Sequence, residues 1–240
     1  MLAHKEYLGQ AGVVGGRVRW NHVAAFLIVL ASTLPGQAAS QRHEQYELLK
    51  DSAEYEHLQA DLHKTFDLAR QQTTNADKAL FLPNGGVGNA AAALPFYNGS
   101  EALLNNCFTK WRQFYRRVPL VFVSLEEIQA RNARGRAYIA LAQGDVNTHA
   151  EYRNQTISIS QAALDHIASA NWEDPQFSWL RPHAAMLKLQ FGKYLSEAHL
   201  FLYLHYLSRY PSAARSHLEQ ARQTAPDDES KARIEALVKP

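Results

Sequence analysis

Two stretches of the chain, residues 137–150 and 185–198, follow one pattern of apolar and small residues. Six positions recur 48 residues later: Ala137, Ile139, Leu141, Gly144, Val146 and Ala150 correspond to Ala185, Leu187, Leu189, Gly192, Tyr194 and Ala198. A single helical hairpin cannot bury its own apolar face, so a repeated hairpin pattern indicates hairpins that stack on one another. The two stretches therefore predict one hairpin that turns at Gly144-Asp145 and a second that turns at Gly192-Lys193.

The remainder of the chain also favours helices. Glycine and proline are sparse between residues 41 and 80 and after residue 120, which argues against a turn-rich β fold. A first helix is predicted over residues 41–72 from apolar residues three and four apart: Leu48, Tyr55, Leu58, Leu62, Phe66 and Ala69. The other predicted elements are helices over 100–117, 124–143 and 146–169, a second helical hairpin over 182–209 whose second helix covers 195–209, a buried connector over 118–123, and a capping box over Ser124–Glu127.

The chain divides into three parts. Residues 1–38 have the features of a secretory signal peptide: Arg17 and Arg19, an apolar run over 23–31, and small residues before position 38. Residues 39–118 are predicted to form an N-terminal helical region with an irregular loop over 83–99, and residues 119–240 a helical repeat region. The alternative for the N-terminus is an uncleaved membrane anchor, although the apolar run is shorter than the about 20 residues that span a bilayer.

The net charge gives no support for a nucleic-acid-binding protein, and the cysteine content excludes a fold held by internal disulfides. Removal of residues 1–38 takes away three of 25 basic and one of 23 acidic residues, which leaves 22 of each. A chain without net charge gives no general argument for nucleic acid as a partner. Cys107 is the single cysteine, so no internal disulfide is possible and a buried, unreactive thiol is expected. The fold must therefore be stabilised by packing.

The C-terminal half resembles the tetratricopeptide repeat family over residues 124–240. Gly192-Lys193-Tyr194, Glu197-Ala198 and Tyr210-Pro211 are similar to the family's turn, second helix and terminal proline. Ala214, Leu218, Ala221 and Pro226 follow its spacing of small residue, large residue, small residue and proline. The resemblance implies an all-α fold of stacked helical hairpins, a short solenoid, with residues 226–240 as a polar cap.

Two local motifs suggest chemistry but lack necessary residues. The loop Asn84–Ala90 is glycine-rich, yet Asn89 and Ala90 stand where a phosphate-binding loop needs lysine and a hydroxyl. Glu54, His57 and Asp61 share one helix face with the spacing of a di-metal bundle, but no second Glu-x-x-His occurs. The sequence therefore predicts neither nucleotide binding nor a metal or other cofactor.

Basic residues are concentrated over residues 110–136. Arg112 and Arg116 lie one turn apart and Arg136 follows later in the segment, whereas Trp111 and Tyr115 have the spacing of core residues. Such a patch is suited to an acidic protein surface or to contact with a membrane surface. Partner-binding residues are chosen by helix position and side-chain type: Arg112, Arg116, Arg136, Tyr138, Tyr152, His199 and Tyr203.

Together these features predict a periplasmic or secreted adaptor or assembly factor. It would bind another protein or peptide in a groove formed by stacked helical hairpins, without catalysis. Two alternatives remain open at this point. One is an exported hydrolytic or metal-dependent enzyme with a site between the N-terminal helix and the repeats. The other is a structural subunit anchored in a membrane by its N-terminus.

Overall fold

The computed structural model describes residues 53–82, 87–115, 119–170 and 181–238, and these residues are helical apart from short connections. The helices are α1 Ala53–Leu80, α2 Ala90–Tyr115, α3 Pro119–Ala142, α4 Val146–Ser169, α5 Arg181–Tyr206, α6 Pro211–Thr224 and α7 Asp228–Val238. Extended structure within these ranges is limited to one isolated bridge between Phe81 and Val87. None of these helices is long and apolar enough to cross a membrane. The predicted all-α class is confirmed.

Helices that follow each other in the chain pack as pairs. The pairs α1–α2, α3–α4 and α5–α6 each make extensive contacts, and α3 also contacts α1, α2 and α5. Two cross-helix hydrogen bonds, Thr73 to Ser100 and Tyr97 to Asp77, show that α1 and α2 run antiparallel. The central position of α3 explains why residues on several of its sides are buried, since a helix covered by neighbours on most of its surface has only a narrow solvent face to pattern.

The two similar stretches of sequence fold into different shapes. Residues 137–150 form the predicted turn between α3 and α4: Gly144 has a φ of +77°, and the Asp145 carboxylate accepts a hydrogen bond from the Thr148 amide. Residues 185–198 lie within the continuous helix α5, so the predicted turn at Gly192-Lys193 is wrong. Gly192 is needed for close approach instead, because a Cβ there would lie 3.1 Å from the Thr224 carbonyl oxygen.

Several predicted boundaries also differ from the structure. The first helix continues to Leu80 rather than ending at residue 72, and its predicted start at 41–52 lies outside the described residues. Helix α2 begins at Ala90 and includes Pro95, so residues 90–99 are not an irregular loop. Helix α3 begins at Pro119, which places the predicted connector and the Ser124 capping box inside it. Ser124 is buried, and Pro119 occupies the first helical position, where proline is favoured.

Two apolar clusters form the core, one toward each end of the helices. The first contains Phe66, Leu104, Ile128 and Phe191 among its members, and the second contains Leu80, Tyr97, Tyr138, Phe201 and Ile234. Along α1 the first cluster ends at Ala69 and the second begins at Ala76. Along α5 the corresponding positions are Tyr194 and Leu200. A layer of polar residues lies between the two clusters, and it contains the candidate site.

Two glycines within helices give a first testable prediction. A Cβ at Gly135 would lie 2.1 Å from the ring of Tyr97, which is fully buried, so Gly135→Ala should lower the free energy of unfolding by about 2 kcal/mol. At Gly99 the nearest atom, on Gln72, would be 3.7 Å away. Gly99→Ala should therefore raise stability by about 0.5 to 1 kcal/mol, because alanine is the better helix former. Urea unfolding of both variants measures the contrast, and equal effects would contradict it.

Candidate functional site

The layer between the apolar clusters crosses five helices, and we call it the polar layer. Its members are Thr73 and Asp77 on α1, Ser100 on α2, Glu127, Arg131, Asn132 and Arg134 on α3, Arg153 and Thr156 on α4, and Glu197 on α5. Three of them form a closed ring of hydrogen bonds: Thr73 donates to the Asn132 amide oxygen at 2.7 Å, and the Asn132 amide donates to the Ser100 hydroxyl at 2.9 Å. The third side joins the Thr73 and Ser100 hydroxyls at 2.8 Å. Because all three side chains are buried, this ring fixes the relative height of α1, α2 and α3.

Glu197 joins two arginines that come from different helices. Arg134 Nε lies 3.0 and 3.1 Å from the two Glu197 carboxylate oxygens, and Arg134 Nη2 lies 2.9 Å from one of them. Arg153 Nη1 donates to the same carboxylate at 2.7 Å. Helices α3, α4 and α5 therefore meet at one carboxylate with two charge-assisted partners.

Aromatic rings complete the surroundings of the two guanidinium groups. Arg153 is 0% exposed, and its guanidinium carbon lies 4.0 Å from the ring centroid of Phe201 and 4.6 Å from that of Tyr138. The guanidinium carbon of Arg134 lies 5.0 Å from the Phe81 centroid and 5.3 Å from that of Tyr138. Contacts of a cation with ring faces compensate part of the cost of burying the charge.

A second charged group connects α1 to α3 and α5. Arg131 Nε donates to the Asp77 carboxylate at 3.1 Å, and the Tyr97 hydroxyl donates to the same carboxylate at 2.6 Å. The Tyr194 hydroxyl donates to Glu127 at 3.0 Å, and Arg131 lies 3.9 Å from that carboxylate. Each of the three carboxylates in this layer therefore has an arginine nearby, so the layer carries little net charge.

The surroundings change the protonation of several groups. Burial disfavours the charged form of Glu197, but its two arginine partners outweigh this and lower its pKa to about 2. Burial raises the pKa of Glu127, although Arg131 opposes that change. His149 is buried and shares a hydrogen bond with the Ala137 carbonyl through Nδ1; burial and the nearby Arg153 charge lower its pKa to about 4. Glu197 is therefore charged and His149 neutral at neutral pH.

Part of the polar layer reaches the surface on the side formed by α1, α3 and α5. The exposed fractions of the side chains there are 26% for Asp77, 12% for Arg131, 21% for Arg134 and 23% for Glu197. We call these four residues the charged row. Its members come from the first helix of each of the three packed pairs. Asp77 and Glu197 are negative, and Arg131 and Arg134 are positive. The charged row is the candidate functional site.

Two of the residues predicted to bind a partner lie together on another part of the surface. Arg136 Nη1 donates to the Tyr152 hydroxyl at 3.2 Å, and the Arg136 guanidinium carbon lies 5.7 Å from the Tyr152 ring centroid. Arg136 also donates to Asn98 at 2.7 Å and forms an ion pair with Glu101, both on α2. Arg131, Arg134 and Arg136 thus each have a carboxylate partner and do not form an unpaired basic face.

The other predicted residues are placed apart. Tyr138 is 1% exposed and belongs to the second apolar cluster, which leaves its side chain inaccessible to a partner. His199 lies against His217 of α6, and Tyr203 packs half-buried against the second cluster. Helix α2 includes position 112, but nothing is described of the Arg112 side chain, and Arg116 lies outside the described residues.

The structure describes only part of the Glu54, His57 and Asp61 set, whose spacing is that of a metal site but which the sequence did not predict to bind one. The side chains of Glu54 and His57 fall outside the described part of the chain, while Asp61 is half-buried. Within the described residues, no group of three or more histidine, cysteine, aspartate or glutamate side chains is arranged to hold a metal ion. Cys107 is buried in the first apolar cluster, in agreement with the prediction of a buried thiol.

The polar layer was not predicted, although one signal for it exists in the sequence. Thr73 continues the stripe of Leu62, Phe66 and Ala69, and Ala76 and Leu80 follow it at the same spacing. A polar residue at such a position must find a partner inside the fold. Its hydrogen-bond partners, Ser100 on α2 and Asn132 on α3, give no comparable signal in the sequence, because they become neighbours of Thr73 only when the helices pack.

Comparison of the chain with protein-family models, with curated proteins and with solved structures finds no match. Any functional conclusion must therefore come from the charged row and its surroundings.

Proposed function

We propose that this protein is an exported, non-catalytic adaptor or assembly factor that binds a segment of another protein across the face formed by α1, α3 and α5. The observation that carries the proposal is the charged row, in which residues of three helices remain 12–26% exposed although each has an ion-pair partner. Groups held in this way are already oriented before a partner arrives, which reduces the entropy lost on binding.

The charge pattern of the row indicates the kind of partner. Asp77 and Glu197 stand at its ends, and Arg131 and Arg134 stand between them. A surface of mixed sign favours a polypeptide with both acidic and basic side chains over a uniformly charged polymer such as nucleic acid. The guanidinium and carboxylate groups can also bond to the backbone of an extended peptide.

The architecture supports the same proposal. The first helices of the three packed pairs begin at residues 53, 119 and 181, and α7 contacts α5 and α6 at the C-terminal end. We propose that these pairs form a short solenoid related to tetratricopeptide repeats, with α7 as its cap. Solenoids of this kind present one extended face built from equivalent helices, which is suited to binding a peptide.

Site-specific photo-crosslinking tests the proposed face without disturbing the polar layer. Gln190 precedes Glu197 by seven residues, two turns of helix, so the two lie on the same side of α5. A photoreactive residue at position 190 should capture a partner protein in the compartment to which the chain is exported. Mass spectrometry of the adduct identifies the partner and the segment that is bound.

Gln161 provides the matched control, because it is an exposed glutamine on α4, away from this face. A photoreactive residue there should give no adduct with the same partner. Adducts from position 161 and none from position 190 would contradict the proposed face, and no adduct from either would contradict the adaptor function. N-terminal sequencing of the exported protein tests the export step, with a new N-terminus at residue 39 as the expected result.

A further inference from the structure

A pair of histidines lies between α5 and α6, away from the charged row. The Nδ1 atoms of His199 and His217 are 3.0 Å apart, and the ring centroids are separated by 5.3 Å. Tyr206 stacks on the His217 ring at 5.5 Å with an interplanar angle of 17°, which holds that ring in place. From this geometry we propose that His199 and His217 form a binding site for a divalent transition-metal ion such as Zn²⁺, with water in the remaining coordination positions.

The distance between the two nitrogens is suited to a shared metal ion. With metal–nitrogen bonds of about 2.0 Å, two ligand atoms lie about 2.8 Å apart at a right angle and about 3.3 Å apart at the tetrahedral angle. The observed 3.0 Å falls between these values. Rotation about χ2, which is a soft torsion in histidine, lets both lone pairs turn toward one point.

The hydrogen bond between the two Nδ1 atoms requires that one of them accept through its lone pair, the same lone pair that binds a metal ion. Neutral imidazole is the form that binds a metal ion. In the free protein one Nδ1–H donates to the other Nδ1. When a metal ion binds, the donor ring changes tautomer, its proton passing through solvent from Nδ1 to Nε2, so two coordinate bonds replace the hydrogen bond and no net proton is released.

The backbone on both sides of the pair is held firmly. Ala198 and Leu200 on α5 are buried, as are Ala214 and Leu218 on α6. The Ser196 hydroxyl also donates to the Ala221 carbonyl at 3.1 Å, one turn from each histidine. A rigid pair of imidazoles favours zinc, copper or nickel over magnesium or calcium, which prefer oxygen ligands. Two protein ligands leave positions open, so the site is of the exchangeable kind.

Titration of the full chain with zinc chloride in an isothermal calorimeter tests the proposal, and magnesium chloride serves as the metal control. One zinc ion should bind to the wild-type protein, and magnesium should not bind. His199→Gln and His217→Gln should each weaken zinc binding by at least the roughly tenfold to hundredfold that is lost when an outer-shell partner of a metal ligand is removed. His205→Gln is the matched control, because the His205 ring contacts Tyr206 at 4.8 Å rather than the pair.

Two outcomes would overturn the proposal. One is the absence of zinc binding to the wild-type protein, and the other is zinc binding that remains unchanged in both His199→Gln and His217→Gln. Melting temperatures with and without zinc provide the second measurement: zinc should raise the melting temperature of the wild type and of His205→Gln only. A variant that fails to fold is recognised in the same experiment, and the second histidine variant then decides the result.

Discussion

Replacing Glu197 with alanine should lower the free energy of unfolding by about 3 to 5 kcal/mol, the cost of removing one partner from a buried ion pair. The side chain of Arg153 is 0% exposed, and its Nη1 donates to Glu197 at 2.7 Å. Arg134 loses its bidentate contact with Glu197 at the same time. Two guanidinium groups would then remain inside the fold without their carboxylate. Urea unfolding followed by circular dichroism measures the loss.

Glu235 offers a control with the same geometry at the surface. Arg222 forms a bidentate contact with Glu235 at 2.7 and 3.0 Å, but the two side chains are 40% and 50% exposed. Glu235→Ala should therefore change stability by no more than about 0.5 kcal/mol, since exposed pairs contribute little. Similar losses for Glu197→Ala and Glu235→Ala would show that burial does not determine the strength of the first pair.

A triple variant separates pairing from packing. If the loss in Glu197→Ala comes from the unpaired charges, replacing Glu197 and Arg134 with leucine and Arg153 with methionine should recover most of the stability. The charged row would be lost, so this variant should fold but no longer capture the proposed partner. If the triple variant is stable but does not bind the partner, the charged row is required for binding. If the variant still binds, the charged row serves only the stability of the fold.

The parts of the fold that the sequence predicted are those with local signals. Helix α4 was predicted at its observed bounds because Asp145 caps its first turn and Gly144 takes the positive φ that the turn needs. The start of α3 was not predicted, because Val121 and Val123 are β-branched and the solvent face of helix α3 is too narrow to give a periodic pattern. A helix that is buried on most sides lacks the periodic spacing of apolar and polar residues from which helices are predicted.

Gly192 shows why a repeated pattern in sequence did not become a repeated structure. Glycine is used at a turn for its positive φ, as at Gly144, and inside a helix for close approach, as at Gly192 beside Thr224 and Pro226. The amino-acid pattern is the same for both uses. The difference arises from Thr224 and Pro226, which follow Gly192 by 32 and 34 residues in the chain. Only tertiary packing distinguishes the two.

The polar layer was beyond sequence reasoning for a related reason. Glu197 was read as part of a repeat motif, and Arg134 as one member of a basic patch. Their contact joins residues 63 positions apart, and Arg153 reaches Glu197 across 44 positions. Charged residues are usually expected on the surface. The sequence alone could not show that one carboxylate and two guanidinium groups from three helices would meet in the fold.

Acid should destabilise the protein, and His149 should account for about 3 kcal/mol of this loss. Its pKa is lowered from 6.5 to about 4 in the folded protein, first by burial and then by Arg153. Between these two pH values the unfolded chain binds a proton at this position and the folded chain does not. The free energy of unfolding therefore falls as the pH falls from 6.5 to 4, and this contribution is fully present only above pH 6.5.

His149→Asn isolates that contribution from the other titrating groups. The asparagine amide keeps a donor close to the position of Nδ1, which contacts the Ala137 carbonyl at 2.8 Å, but it does not titrate. Urea unfolding at pH 7 and pH 4.5 gives the pH-dependent loss for each protein. The loss should be smaller in His149→Asn by about 2 to 3 kcal/mol, whatever the variant's stability at pH 7. The same loss in both proteins would mean that His149 is already protonated in the folded protein. In that case Arg153 would not lower the pKa of His149, because Glu197 would compensate the Arg153 charge more fully than their single hydrogen bond implies.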